Sequence, residues 1–405
     1  MDLGAKDFID GGYMNVLVID YKSFDIEDIY EIFESKKYHI YKYTHNDIGE
    51  HRNTSIEQEI SDILDKEKID FIFSFNYYPI ISTIVKDMNV KYISYVYDCP
   101  HIALYTYTII YPCNYIFIFD YAMYEELKSG GINTVYYLPL SVNTERTMNT
   151  IGNIPQNNTK FDDDVSFVGS LYNESHNLYD RLMDKLGDDE YTKGYLDSLI
   201  ESQSNIYGYF YLEKMITKEL LDKLMTAYPY NPGNDTIATS AYVYAHYFLA
   251  RKCTEIERTK LLKIVSDNFN TSLYTKNPTP HLPNIKNKGS IDYYNMMPIV
   301  FNRSKINLNI SLKSITTGIP LRAMDIMGCK DFLLTNYQSD MERHFVAGRD
   351  YDYFTSAEDL VQKIDYYLSH EDKRKEIALN GFNIVNENFT TTKAIDYILE
   401  VAGII

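Results

Sequence analysis

The segment SKINLNISLKSITTGIPLRAMDIMGCKDFLLTN, residues 304–336, sets the reading of the whole chain. Its pattern predicts a strand, a loop, a helix and a second strand. Ile306, Leu308 and Ile310 alternate with polar residues, the period of a strand. Residues 311–318 read as a loop, and Pro320, which has no N–H to leave unpaired, suits the first turn of a helix. Over residues 320–329 the three-and-four spacing puts Arg322, Asp325, Ile326 and Cys329 on one face. Phe332-Leu333-Leu334-Thr335 is then the short apolar run of a buried parallel strand. A loop at the carboxyl end of such a strand, opening into a helix, offers free N–H groups and the positive end of the helix dipole to a phosphate. Arg322 adds a two-pronged donor, and Asp325 one turn further on can accept from sugar or ribose hydroxyls. The same spacing also allows a plain intrahelical salt bridge between the two.

Composition narrows the function classes. The 405 residues are enough for two domains, and 45% hydrophobic with 24% charged residues is the balance of a globular protein. A net charge of −18 without a basic tract argues against a nucleic-acid partner. Cys99, Cys113, Cys253 and Cys329 lack C-x-x-C spacing, which points to reduced thiols in a cytoplasmic setting rather than a disulfide frame or a zinc site. Residues 1–12 lack the basic and apolar parts of a signal peptide and read as a short extension before Met14. Between Asp98 and Asp120 there is no acidic or basic residue, yet Pro100, His101, Pro112 and Asn114 argue for buried strand and loop, so no stable membrane insertion is expected.

Strand patterns at residues 14–20, 38–43, 70–75, 90–97, 115–119 and 134–138 are interleaved with helical patterns at 23–37, after the capping-box spacing Ser55 to Gln58, and at 121–128, where Gly130-Gly131 stops the helix. That alternation predicts a parallel, Rossmann-like domain over residues 1–150. Residues 151–164 read as a linker, with Asp162-Asp163-Asp164 a solvated acidic run and not a metal site. A second α/β unit, residues 165–385, starts at Val165. Within it, residues of about 195–285 show Leu, Ile and Tyr at helical spacing and read as a mostly helical insertion. The last stretch, 386–405, is expected to be helical and to pack back on the first domain.

Candidate site residues follow from the strand ends. Gly169 and Ser170, Asn309, the N–H groups around Thr317-Gly318, and Arg322 are candidates for holding a diphosphate. Gly169 can equally be an ordinary turn glycine, and Asn309 can simply satisfy its loop. Tyr172 can pack on a base or a sugar. In the first domain Asp98 and His101, beside Pro100 at the carboxyl end of the fourth strand, are candidates for the acceptor base. The alternative is that Asp98 caps the next helix and His101 is bonded in the core.

At this point the residues resemble a known group. INLNIS, TTGIPLRAMDIMGCKDFLLTN, Asp350 and SAEDLVQKIDYYLSHEDKRKEIALNG, with YDCPH, FIFD, YLPL and SFVGSLY further upstream, are similar to the group 1 glycosyltransferases of the spore-maturation CgeB and YkvP type. The resemblance implies a GT-B fold of two Rossmann-like domains facing a cleft. It implies a nucleotide-sugar donor, UDP-linked by expectation, held by the second domain, and a protein or surface-glycan acceptor entering from the first. It implies no divalent metal and no other cofactor, and it leaves an oligomer open. In the retaining GT-B helix motif E-A-M-A-C-G, Asp325 takes the first Glu position, which gives it a catalytic or donor-binding role. Lys330 stands for the Gly, Leu333 for a second Glu, and Asp350 is the substitute for that acid. The terminal H-T-Y-x-x-R is replaced around Asn388-Phe389-Thr390. Two other readings compete: a GT-B-shaped nucleotide-sugar epimerase, and a catalytically silent carbohydrate-binding or coat-assembly protein.

Overall fold

Short apolar runs pair into two separate six-stranded sheets, both wholly parallel. The computed structural model describes residues 14–21, 23–153, 163–175, 177–230 and 235–405. The amino-terminal extension and Asp162 lie outside the described residues.

In the first sheet β1 (Asn15–Ile19), β2 (His39–Tyr43), β3 (Phe71–Phe75), β4 (Lys91–Val96), β5 (Asn114–Ile118) and β6 (Val135–Tyr137) run in the order β2-β1-β3-β4-β5-β6. The central strand FIFSF is buried on both faces, as a parallel sheet covered by helices requires. Those helices are α1 (Ile26–Ser35), α2 (Thr54–Glu67), α3 (Pro79–Val85), α4 (Tyr121–Ser129) and α5 (Thr144–Gly152).

The second sheet contains β7 (Asp163–Val168), β8 (Thr271–Tyr274), β9 (Lys286–Asn287), β10 (Ser304–Asn309), β11 (Leu333–Asn336) and β12 (Asp352–Phe354), in the order β12-β11-β10-β7-β8-β9. The chain therefore leaves β7 toward one edge and returns to its other side at β10. Between the carboxyl ends of these two strands lies a topological switch point, the place where open α/β sheets take ligands. The helices of this half are α6 (Leu178–Lys185), α7 (Glu190–Ser204), α8 (Leu212–Met215), α9 (Lys218–Ala227), α10 (Ser240–Val243), α11 (Ala250–Asn268), α12 (Met297–Arg303), α13 (Leu321–Gly328), α14 (Met341–His344), α15 (Ala357–Ser369), α16 (Glu371–Asn388) and α17 (Thr391–Val401). A π-helical turn, Tyr244–Leu249, joins α10 to α11.

Helices α7 to α11 form the insertion; α11 packs on the second sheet through Leu261, Leu262 and Val265, while α10 and the turn after it reach the first domain. The Tyr242 ring packs 4.5 Å from that of Tyr105, Tyr247 Oη accepts from the Ile102 N–H at 2.8 Å, and Thr236 forms an antiparallel bridge with Thr106. At the other end of the chain α17 packs on α1, with Lys36 Nζ 2.5 Å from Asp396 Oδ1.

Two stretches differ from their sequence reading. β8 falls inside residues expected to be helical; a four-residue strand, TSLY, is too short to break the helical pattern around it. The acidic run is not a solvated linker where it is described. Asp163 opens β7, is buried, and accepts from Ser272 Oγ at 2.6 Å, Tyr274 Oη at 2.8 Å and Lys288 Nζ at 2.8 Å. Among the described residues no helix is long and apolar enough to cross a membrane.

Candidate functional site

The strand ends at the switch point are held by two guanidinium groups. Gly169 follows β7 with φ 150°, and a Cβ on it would stand 2.3 Å from Arg322 Nη2. Only a residue without a side chain lets that guanidinium lie against the strand end. Arg322, in the first turn of α13, donates from Nη1 to Asn309 Oδ1 at 3.0 Å. Asn309 is itself fixed, since its Nδ2 donates to Ser311 Oγ at 3.1 Å and Thr335 Oγ1 at 2.9 Å. It orients the arginine and is buried.

The second guanidinium, Arg258, was absent from the sequence reading. It comes from α11 of the insertion and is buried. It donates from Nη1 to Ser170 O at 2.5 Å and from Nε to Ile310 O at 3.0 Å, tying the ends of β7 and β10 together. Nothing in a helical pattern marks one arginine as the residue that returns to a strand end 88 positions away. The two guanidinium groups lie 5.2 and 4.9 Å from the centre of the Phe167 ring. Burial, and then the charge of Arg258, bring the Arg322 pKa down to about 9. Among the described residues neither has a carboxylate ion pair; Glu257, beside Arg258 in α11, pairs with Lys313 Nζ at 3.0 Å. Tyr172, at φ 60°, holds its ring 4.7 Å from the Arg251 guanidinium and 4.9 Å from that of Arg258. The Ser170 hydroxyl shapes this turn by accepting from the Tyr172 N–H at 3.0 Å.

The loop before α13 is an anion-holding nest, but its anion belongs to the protein. The N–H groups of Thr316, Thr317 and Gly318 all donate to Asp120 Oδ2, at 2.7, 3.0 and 3.1 Å, and Thr317 Oγ1 donates to Asp120 Oδ1 at 3.1 Å. Asp120 is the N-cap of α4 in the first domain. Asp340 replies from the second domain, accepting from the Tyr121 N–H at 3.0 Å. A Cβ on Gly318 would come within 2.9 Å of Asp120 Cα, so this glycine serves a domain contact. The N–H groups around Thr317 and Gly318, expected to face a diphosphate, are thus engaged by a partner nearly 200 residues away, which local sequence cannot reveal.

The floor of the cleft is acidic. Tyr293 Oη lies 2.7 Å from Asp25 Oδ1 of the first domain and 3.1 Å from Asp325 Oδ1 of α13. One hydroxyl proton cannot serve both carboxylates, so with both contacts made the other carboxyl carries a proton of its own. Burial raises the Asp25 pKa to about 7, with the neighbouring Asp28 adding to the rise, and burial beside Asp25 holds Asp325 well above the usual carboxylate range. Arg146 takes Asp28 as its main partner, at 2.9 Å from Nε, and reaches Asp25 only at 3.4 Å. The intrahelical Arg322–Asp325 salt bridge is not formed among these contacts.

The remaining candidates separate. Asp98 is exposed at the end of β4 and accepts from Asn76 Nδ2 at 2.9 Å; it caps no helix. His101 Nε2 sits 2.9 Å from Tyr77 O, and burial lowers its pKa, so the ring is neutral and bonded in place. Asp350 is not brought to the switch point. It is buried, accepts from the Val346 N–H and from Arg349, each at 2.8 Å, and lies with Gly381 near Met327, at the far end of α13 from Arg322.

Residues 255–400 match the family described as glycosyl transferase-like. No curated protein matches the sequence. Among solved structures, a glycosyltransferase from Rickettsia africae superposes with a TM-score of 0.54 at 11% identity, covering 96% of this chain and 98% of its own. Sucrose-phosphate synthase from Thermosynechococcus elongatus gives 0.57 at 8% identity, covering 96% and 99%. HepE of Anabaena, solved with UDP-glucose, gives 0.54 at 10% identity, covering 97% and 100%. At such identities the likeness establishes the fold: two parallel six-stranded sheets in the GT-B arrangement.

Proposed function

We propose that this chain is a glycosyltransferase that moves a sugar from a nucleoside-diphosphate donor, UDP-linked, to a hydroxyl of a protein or surface glycan. The observation that carries the reading is the guanidinium pair Arg322 and Arg258, without a carboxylate ion pair among the described residues, at the switch point of the second sheet. Charge builds on the leaving diphosphate as the glycosidic bond breaks, and fixed positive groups in a partly buried site stabilise it without reorganising. Arg322 is the partly exposed member and the one to contact phosphate; Arg258 holds the strand ends and adds charge behind it. This is why a divalent metal is not required in the proposal. Asp325, with one oxygen engaged by Tyr293, accepts from a sugar hydroxyl at its other oxygen on the cleft floor, and Asp98 orients the acceptor from the end of β4. Within the glycosyl transferase-like group we place the chain with the CgeB and YkvP type, acting in the cytoplasm, where its four free thiols remain reduced.

Calorimetry with UDP and UDP-glucose, followed by analysis of released nucleotide, tests the reading. Arg322→Ala should weaken UDP binding at least about tenfold, the loss of a charge-assisted contact. Unchanged binding in that variant would overturn the phosphate assignment. Free UDP produced only with an acceptor present marks a transferase; a changed sugar still joined to UDP marks an epimerase, and binding without turnover a silent protein.

A further inference from the structure

The opposite end of the second sheet carries a second concentration of positive charge. A cavity of about 500 Å³ opens beside the first residues of β10 and the residues after α13, its charged lining being Arg303, Lys305, Lys330, Arg374 and Lys375 together with Asp331 and Glu371. Five cations around one cavity run against a chain with 39 basic and 57 acidic residues. Lys305 pairs with Asp164 at 2.6 Å and Lys375 with Glu371 at 2.5 Å. Arg374 is different. Only 6% exposed, it donates to Tyr367 O at 2.7 Å and has no ion pair among the described residues. Asp331 and Glu371 are the acidic members of the lining, and with Asp164 they act on the Arg374 charge from beyond ion-pair distance. Lys330 stands at φ 63°, in the left-handed region that disfavours a residue with a side chain, and is exposed.

Five cations against the three carboxylates Asp164, Asp331 and Glu371 leave an excess of positive charge, and a buried guanidinium with no direct ion pair gains from an anion that supplies one. We propose that this cavity is a second anion site, taking a soluble small molecule that bears a phosphate or pyrophosphate group. Its volume falls within the range of about 300–1,000 Å³ common for small-molecule pockets. Arg374 is recessed in the wall, beyond reach of a flat layer of headgroups. The five steps along β10 from Ser304, in the cavity lining, to Asn309 put about 17 Å between the two places, so one small anion cannot fill both.

The test is calorimetric titration of the full chain with inorganic pyrophosphate. The wild-type protein should bind two equivalents. Arg322→Ala should keep the cavity's equivalent, and Lys330→Glu with Lys375→Glu, both at exposed positions, should weaken that equivalent at least tenfold while leaving UDP binding as in the wild type. A single equivalent that disappears with Arg322→Ala, or a titration indifferent to the lysine pair, overturns the proposal. A single equivalent lost only with the lysine pair sustains it and counts against the donor site instead. Cosedimentation with phosphatidylglycerol vesicles, lost in the double variant, would assign the phosphate to a lipid headgroup and overturn the soluble ligand.

Discussion

Gly169 is where an absent side chain makes room for a charge. Gly169→Ala sets a methyl group 2.3 Å from Arg322 Nη2, so either the guanidinium or the strand end must shift. The expected outcome is a stability loss of about 1–3 kcal/mol, read by thermal melting, together with UDP binding at least about tenfold weaker. A protein that melts lower and still binds UDP normally would separate Arg322 from the donor. The cleft acids supply a pH dependence. Asp25 titrates at about 7 when folded against an ordinary 3.8, so between these values the folded state holds a proton that the unfolded chain releases. The Asp25 share of stability should therefore fall as pH rises from about 4 to 7, by about 2–4 kcal/mol at most, while Asp325, also raised, adds a fall of the same sign. Asp25→Asn should flatten that slope in denaturant melts taken across the range; an unchanged slope would place the titrating group elsewhere.

At the scale of elements, the strands were legible because each is a short apolar run bounded by polar turns, and β1 to β6 fall where alternation puts them. The loop before α13 was legible as an anion-holding turn from Thr317, Gly318 and Pro320, yet its anion was not. Asp120, Arg258 and Tyr293 all act across large separations in sequence, and periodicity speaks only for neighbours. The insertion shows the same limit: its helical spacing predicts helices and says nothing of the surface they cover. In the structure α10, the stretch before it and the turn after it hold residues 100–107 of the first domain, with Thr236 bridged to Thr106 and Tyr247 Oη bonded to the Ile102 N–H. Tyr247→Phe removes that acceptor at a cost of about 1 kcal/mol. Hydrogen exchange across residues 100–107 should speed up, with α2 unchanged as an internal reference. Equal protection in the variant would show that the insertion merely covers this segment.

Across the whole molecule the two domains are joined by a reciprocal pair of carboxylates. Asp120 fills the nest of three N–H groups at residues 316–318, and Asp340 caps the first turn of α4 from the other side. Each end of the contact is a charge-assisted bond to backbone donors, worth about 1.5–3 kcal/mol net over the water contacts that replace it when the domains part. The pair therefore favours the closed arrangement without making it irreversible, the condition that the proposed transfer sets for this cleft. Asp120→Ala removes the anion, leaves three N–H groups to be hydrated, and deletes the α4 cap. Small-angle scattering should then show a larger radius of gyration without ligand, and UDP should restore part of the compaction if donor contacts in the second domain assist closure. Asp120→Asn keeps a capping oxygen for α4 but loses the charge, so its helix should be intact and its closure weakened; this separates a failing helix from a failing latch. Scattering identical to the wild type in both variants would mean that the α17 and insertion contacts hold the domains together by themselves.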